Sequence, residues 1–156
     1  MTRLNCSIRV TRGVIRQLNL CHALMEILSL ATPQTILVIE DKLSFACRLM
    51  HWLEEKGHSV VGFAGVASVE KGILAGINPL ATTTDIEVEL SKINICFLDH
   101  YFEGRTFTGT TLTRVLVPAG IKVCGMSSVD EANQSMMRVG AVCAYQKDKL
   151  ARMLNS

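Results

Sequence analysis

The sequence lacks the signatures of most small catalytic and binding classes. Its six cysteines (Cys6, Cys21, Cys47, Cys96, Cys124 and Cys143) form no C-x-x-C pair and show no metal-ligand spacing, so neither a zinc site nor a disulfide framework is indicated. Cys96, Cys124 and Cys143 each lie inside an apolar run, where a reduced thiol behaves as a small hydrophobe. A reducing, cytoplasmic setting is therefore expected. No apolar stretch reaches the ~20 residues of a membrane span, and no membrane partner is expected. Arg16, Gln17, Asn19 and His22 interrupt the N-terminal apolar patch, which argues against a secretory signal. There is no internal repeat, no low-complexity tract and no Gly-rich phosphate loop; "GFAG" is too little for nucleotide binding. Formal net charge is only +2, so the chain as a whole is not expected to bind nucleic acid directly.

What is present is a globular composition: 156 residues, 49% hydrophobic and 19% charged, enough for one domain with its own core. The charge is unevenly placed. Residues 1–34 carry Arg3, Arg9, Arg12 and Arg16 against Glu26 alone. They are expected to form a basic N-terminal extension before a domain over 35–156, with "VIRQLNLCHALMEILSL" (14–30) as an extra helix and Pro33 as a separator. The charge jump also raises initiation at Met25 as an expectation, which would begin the chain "MEILSLATPQTILVIED". No output domain is expected beyond Ser156.

Five short β-branched-rich runs recur: "TILVI" (35–39), "SVVGFA" (59–64), "INICFL" (93–98), "IKVCGM" (121–126) and "AVCAY" (141–145). They lack strict alternation, as strands covered on both faces do. Between them lie helical patterns. Leu43, Ala46, Cys47, Met50 and Leu53 recur at spacings of three and four before a stop at Gly57. "SSVDEANQSMMRVG" offers a capping box from Ser128 to Glu131, and Asp148 is the expected N-cap of a last short helix. "ASVEKGILAG" (67–76) and "TGTTLTRVLV" (108–117) are weaker helical patterns because of Gly72 and the threonines. Within 77–92, Ile86, Val88 and Leu90 alternate with Glu87 and Glu89, compatible with a small edge strand or a helical turn. The alternation of strands and helices predicts an α/β fold: a flavodoxin-like, doubly wound, five-stranded parallel sheet of order 2-1-3-4-5 with helices on both faces.

In such sheets ligands bind beyond the carboxyl ends of the strands. Strand one ends in Glu40 and Asp41, and strand three in Asp99. Strand four is followed by Ser127 and Ser128, strand five by Lys147. Strands one and three are neighbours in this order, so three carboxylates share one patch. Two like charges ~4 Å apart repel by roughly 4 kcal/mol at an effective dielectric of about 20. A hard cation with oxygen ligands, Mg2+ above all, removes that repulsion. A lysine and a serine hydroxyl beside it suit an incoming phosphoryl group, with Asp99 as the nucleophile.

On "ILVIED", "CFLD", "GMSS" and "GAVCAYQKD", in that order, residues 35–154 resemble the receiver domains of two-component response regulators. The resemblance implies that Asp99 is the phosphoacceptor. It implies that Glu40, Asp41, Asp99 and the Tyr101 backbone carbonyl hold Mg2+, and that Ser127, Ser128 and Lys147 bind phosphate and switch. The implied partners are a sensor histidine kinase or a phosphotransfer protein, with homodimerisation as a further expectation. A receiver of this kind is a signalling acceptor rather than an enzyme. A degenerate receiver serving as an interaction module without phosphorylation is the alternative. A metal-dependent phosphatase on a related fold is disfavoured, because Tyr101 stands where a second acid is needed. The sequence departs from the family where "DHYFEGRTFTG" lacks the usual Met-Pro turn and brings its glycine, Gly109, ten residues after Asp99. It departs again at Ala144, which occupies the aromatic switch position beside Tyr145.

Overall fold

A computed structural model describes residues 19–78, 86–104 and 106–155. The arginines of the N-terminal extension and residues 79–85 lie outside that range. In chain order the elements are α1 (19–27), β1 (Thr35–Ile39), α2 (Leu43–Glu55), β2 (Ser59–Phe63), β3 (Gly65–Glu70), β4 (Ile73–Ile77) and β5 (Ile86–Glu89). A 3-10 turn (Leu90–Lys92), β6 (Ile95–Leu98), α3 (Gly109–Leu116), β7 (Lys122–Gly125), α4 (Asp130–Arg138), β8 (Cys143–Ala144) and α5 (Lys147–Leu154) follow.

The central sheet has five parallel strands in the order β2-β1-β6-β7-β8. Counting only its own strands, this is the expected succession. The numbering differs because a three-stranded antiparallel sheet, β3-β4-β5, is inserted between the second and third parallel strands. The central strands β1, β6 and β7 are buried along nearly their whole length, from the residue after Thr35 in β1 and after Lys122 in β7, because both faces are covered. Ile36 and Val38 of β1, with Ile95 and Phe97 of β6, pack under α1, α2 and α5 alongside Leu24, Leu28, Leu49, Leu53 and Leu150. Leu37, Ile39, Cys96 and Leu98 face the other way, onto Leu112 and Leu116 of α3, Met136 of α4, and Val66 and Leu74 of the inserted sheet. Each such side chain contributes about 1.5–3 kcal/mol by leaving water.

The stretch 67–76, read from sequence as a helix, is instead most of the β3–β4 hairpin. Its turn is the pair Lys71-Gly72, with φ of +49° and +76°. Positive φ at both central residues gives the twist that a two-residue hairpin requires, and a helix cannot pass through them. Val69, Leu74 and Val88 line up across the three strands on the inward face. In the following segment the strand and the helical turn both occur, one after the other: β5, then the 3-10 turn.

Three local expectations are corrected. In α2 the buried face is Phe45, Ala46, Leu49 and Leu53, while Leu43 and Cys47 are exposed. The helix is rotated because Phe45 reaches into the core. No capping box forms at Ser128: α4 starts later, with Val129 at its N-cap. Asp148 lies in the first turn of α5, and the N-cap is Gln146. By contrast, the threonines that weakened 108–117 as a helix start it, because Thr108 and Thr111 form a reciprocal capping box.

Candidate functional site

Parallel pairing of β1 with β6 aligns Ile39 with Leu98, so the residues that follow them, Glu40 and Asp99, emerge side by side. Their backbones are anchored as extensions of the sheet. Glu40 N–H donates to Phe63 O at 3.0 Å, and Asp99 N–H donates to Ile39 O at 3.0 Å. At the next positions outward, Tyr145 N–H donates to Gly125 O at 2.9 Å, which delivers Lys147 from the far edge of the sheet.

The lysine closes the site. Its Nζ donates to Glu40 Oε1 at 2.9 Å and to Asp99 Oδ2 at 3.1 Å, and lies 2.9 Å from Glu40 Oε2. Asp99 Oδ1 accepts the His100 N–H at 2.8 Å, and Glu40 Oε1 also accepts the Lys42 N–H at 3.1 Å. Glu40 is 1% exposed and Asp99 5%, whereas Asp41 faces solvent. Burial, reinforced by the Asp99 charge, pushes the Glu40 carboxyl up to about 7, although Lys147 acts to lower it. Burial works against the Lys147 ammonium, but the hydrogen bond to Glu40 and the two carboxylates raise its pKa above the ordinary value.

One ligand oxygen from each of Glu40, Asp41 and Asp99 falls within 4.8 Å of the others. Glu40 Oε2 is buried and, despite the nearby ammonium, makes no hydrogen bond of its own. A cluster of carboxylate oxygens with one incompletely satisfied member fits a hard divalent cation.

The remaining sequence candidates are placed less directly. Ser127 is 2% exposed, and its Oγ accepts the Val129 N–H at 3.1 Å. Its backbone is held by Asn133, a residue the sequence reading missed: Ser127 N–H donates to Asn133 Oδ1 at 2.9 Å, and Asn133 Nδ2 donates to Ser127 O at 3.0 Å. Ser128 is exposed. Tyr101 is 65% exposed, with its ring edge-on to His100. Burial lowers the His100 pKa against the opposing pull of Asp99, and its Nδ1 lies 3.3 Å from Thr110 Oγ1. Ala144 ends β8, and the neighbouring Tyr145 packs partly buried against the core on the α5 side.

The long loop after Asp99 is fastened to the inserted sheet. Glu103 N–H donates to Ala64 O and Val66 N–H donates to Glu103 O, each at 3.1 Å, forming a parallel bridge between Gly65 and Glu103. The approach is so close that a Cβ on Gly65 would sit 1.8 Å from Glu103 O. At the other end of the loop, Gly109 N–H donates to His100 O at 2.8 Å.

No protein-family model matches the sequence, and no curated protein matches it with significance. Solved structures do resemble it. A response regulator from Burkholderia pseudomallei, described with a phosphorylated aspartic acid, a calcium ion and citrate, superposes with a TM-score of 0.51 at 17% identity, over 78% of this chain and 66% of its own. This chain thus spans a little under two thirds of that protein. The chain has the receiver-domain fold. The BeF3-activated N-terminal receiver domain of Klebsiella pneumoniae RstA gives a TM-score of 0.52 at 18% identity, over 78% of this chain and 99% of its own. A CheY-like receiver domain protein from Methanospirillum hungatei JF-1 gives 0.51 at 17% identity, over 80% and 95%. On the receiver fold of this chain, the inserted β3-β4-β5 sheet stands where the sequence pattern implied a helix.

Proposed function

We propose that the chain is a receiver that accepts a phosphoryl group on Asp99 in a Mg2+-dependent reaction and signals by binding partners according to its phosphorylation state. The observation that carries this reading is the Lys147 ammonium shared between Glu40 and Asp99, with Asp41 completing a compact set of carboxylate oxygens. Glu40, Asp41, Asp99 and the Tyr101 carbonyl would hold the cation, which supplies charge neutralisation when bound. An Asp99 carboxylate oxygen attacks phosphorus as the P–N bond of a donor phosphohistidine breaks, and the electron pair returns to the imidazole nitrogen. The Lys147 ammonium is placed to pair with a phosphoryl oxygen, and Ser127 and Ser128 offer hydroxyls. The phosphorylated aspartic acid and calcium ion of the Burkholderia protein support this assignment. The donor is a sensor histidine kinase or a phosphotransfer protein in the cytoplasm, homodimerisation is a further partner mode, and the chain accepts phosphate without turning over a substrate.

A phosphorylation-independent interaction module is the second reading. It is favoured by Ala144 in the aromatic position and by the clamp of Asn133 on Ser127. Incubation with Mg2+ and beryllofluoride, followed by 19F NMR and by amide shifts of Asp99 and Glu40, separates the two. A saturable adduct lost in Asp99→Asn is expected. Absence of both the adduct and Mg2+ binding assigns the chain to the second class.

A further inference from the structure

The segment Phe63–Val66, between β2 and β3, touches both halves of the acidic site. Phe63 O takes the Glu40 N–H, and one residue later Ala64 O takes the Glu103 N–H. Only three residues separate Asp99 from Glu103. One peptide run therefore grips the end of β1 on one side and the loop leaving Asp99 on the other. It is itself held by the inserted sheet, since Ala64 N–H donates to Ile77 O at 2.8 Å.

The glycines at the bridge are required by contact. Beyond the collision at Gly65, a Cβ on Gly104 would lie 2.3 Å from Val66 O, and Gly104 has φ of +100°. Thr106 Oγ1 adds a weak 3.4 Å bond to Ala67 O. The loop and β3 thus meet backbone to backbone, with no side chain to yield between them. Such a contact has little slack, and displacement at the bridge moves the chain only four residues from Asp99.

We propose that the Gly65–Glu103 bridge is a positioning contact for the cation site: it fixes the Asp99–Glu103 loop against Glu40 and Asp41, and so makes divalent-cation affinity depend on the inserted β3-β4-β5 sheet. This inference rests on the cation-binding reading above and goes beyond it, because it gives the antiparallel insertion a role in the site. Gly65 and Glu103 touch no substrate and act through the loop alone. Linkage makes the dependence reciprocal: if an intact bridge favours the cation, the cation favours the bridge by the same factor.

The test uses the full chain. In the wild type, MgCl2 is expected to shift the Asp99 and Glu40 amides and to slow hydrogen exchange at the Glu103 and Val66 N–H groups. In Gly65→Ala and in Gly104→Ala, Mg2+ affinity by calorimetric titration is expected to fall about tenfold or more, as it does when the groups supporting metal ligands are disturbed. Leu24→Ala serves as the control: it opens a cavity on the face of the central sheet opposite the inserted one, and is expected to retain wild-type affinity. The proposal is overturned if Mg2+ binds while exchange at Glu103 and Val66 is unchanged, or if Leu24→Ala weakens binding as much as Gly65→Ala. Should the glycine variants fail to fold, the wild-type exchange measurement decides alone. Absence of any Mg2+-dependent shift at Asp99 or Glu40 overturns the cation reading itself, and the positioning role with it.

Discussion

Lys147 Nζ lies within 2.9 Å of both carboxylate oxygens of Glu40, a side chain 1% exposed. In the cation-free protein this ammonium is the main compensation for a buried charge. Removing one partner of such a pair leaves the other uncompensated. Lys147→Met is expected to lower stability by about 3 kcal/mol in urea unfolding at pH 9, where the Glu40 carboxyl is ionised, and by less at neutral pH, where it can take up a proton instead. The double variant with Glu40→Gln is expected to recover most of that loss. Additive losses in the two single variants would show that the pair is not coupled.

The raised Glu40 pKa gives the cation-free fold a definite pH response. A group whose folded pKa lies above its unfolded value stabilises the fold fully below the unfolded pKa, and that contribution is lost as pH rises through the folded one. For Glu40 the window runs from 4.5 to about 7, and the loss is on the order of 3 kcal/mol. His58, whose pKa burial lowers, acts in the opposite direction, so the comparison must be made with Glu40→Gln in the same background. Thermal melts without divalent cations are expected to show wild-type stability declining relative to Glu40→Gln across this window. Parallel profiles would refute the assignment.

Asn133 holds Ser127 by two buried hydrogen bonds to its backbone. Asn133→Ala orphans a buried N–H and a buried C=O, at a cost of about 2–4 kcal/mol. The measurement is chemical denaturation, with the Ser127 amide resonance as the local report. A variant as stable as the wild type would mean that water replaces the side chain.

Leu24 of α1 is fully buried in the same cluster as Phe45, Leu49 and Leu150. Leu24→Ala is expected to cost about 2–5 kcal/mol, the range for a leucine-sized cavity. A negligible loss would show that α1 is loosely attached and that the core closes without it.

The parallel sheet was legible in the sequence because both its faces are buried, and continuous β-branched runs such as "TILVI" have few other uses. Glu40, Asp41, Asp99 and Lys147 were legible because the carboxyl end of a strand is a place that topology alone assigns. The hairpin at 65–77 was not, because Gly72 was read as a weak point in a helix when its partner Lys71 made it a turn. Asn133 gave no signal: an asparagine in a polar helix looks solvated until Ser127 is placed beside it. The Gly65–Glu103 bridge joins residues 38 positions apart through backbone atoms, and backbone contacts carry no residue-type signature except the glycines that permit them.

The hairpin stands where the sequence pattern implied a helix, yet the groups that the acidic centre takes from this side of the molecule are main-chain atoms between Phe63 and Val66. Peptide units are common to every sequence. The periphery of such a centre is therefore open to wholesale exchange during evolution, with one kind of secondary structure substituting for another, as long as the replacement presents its amides and carbonyls at the same few points.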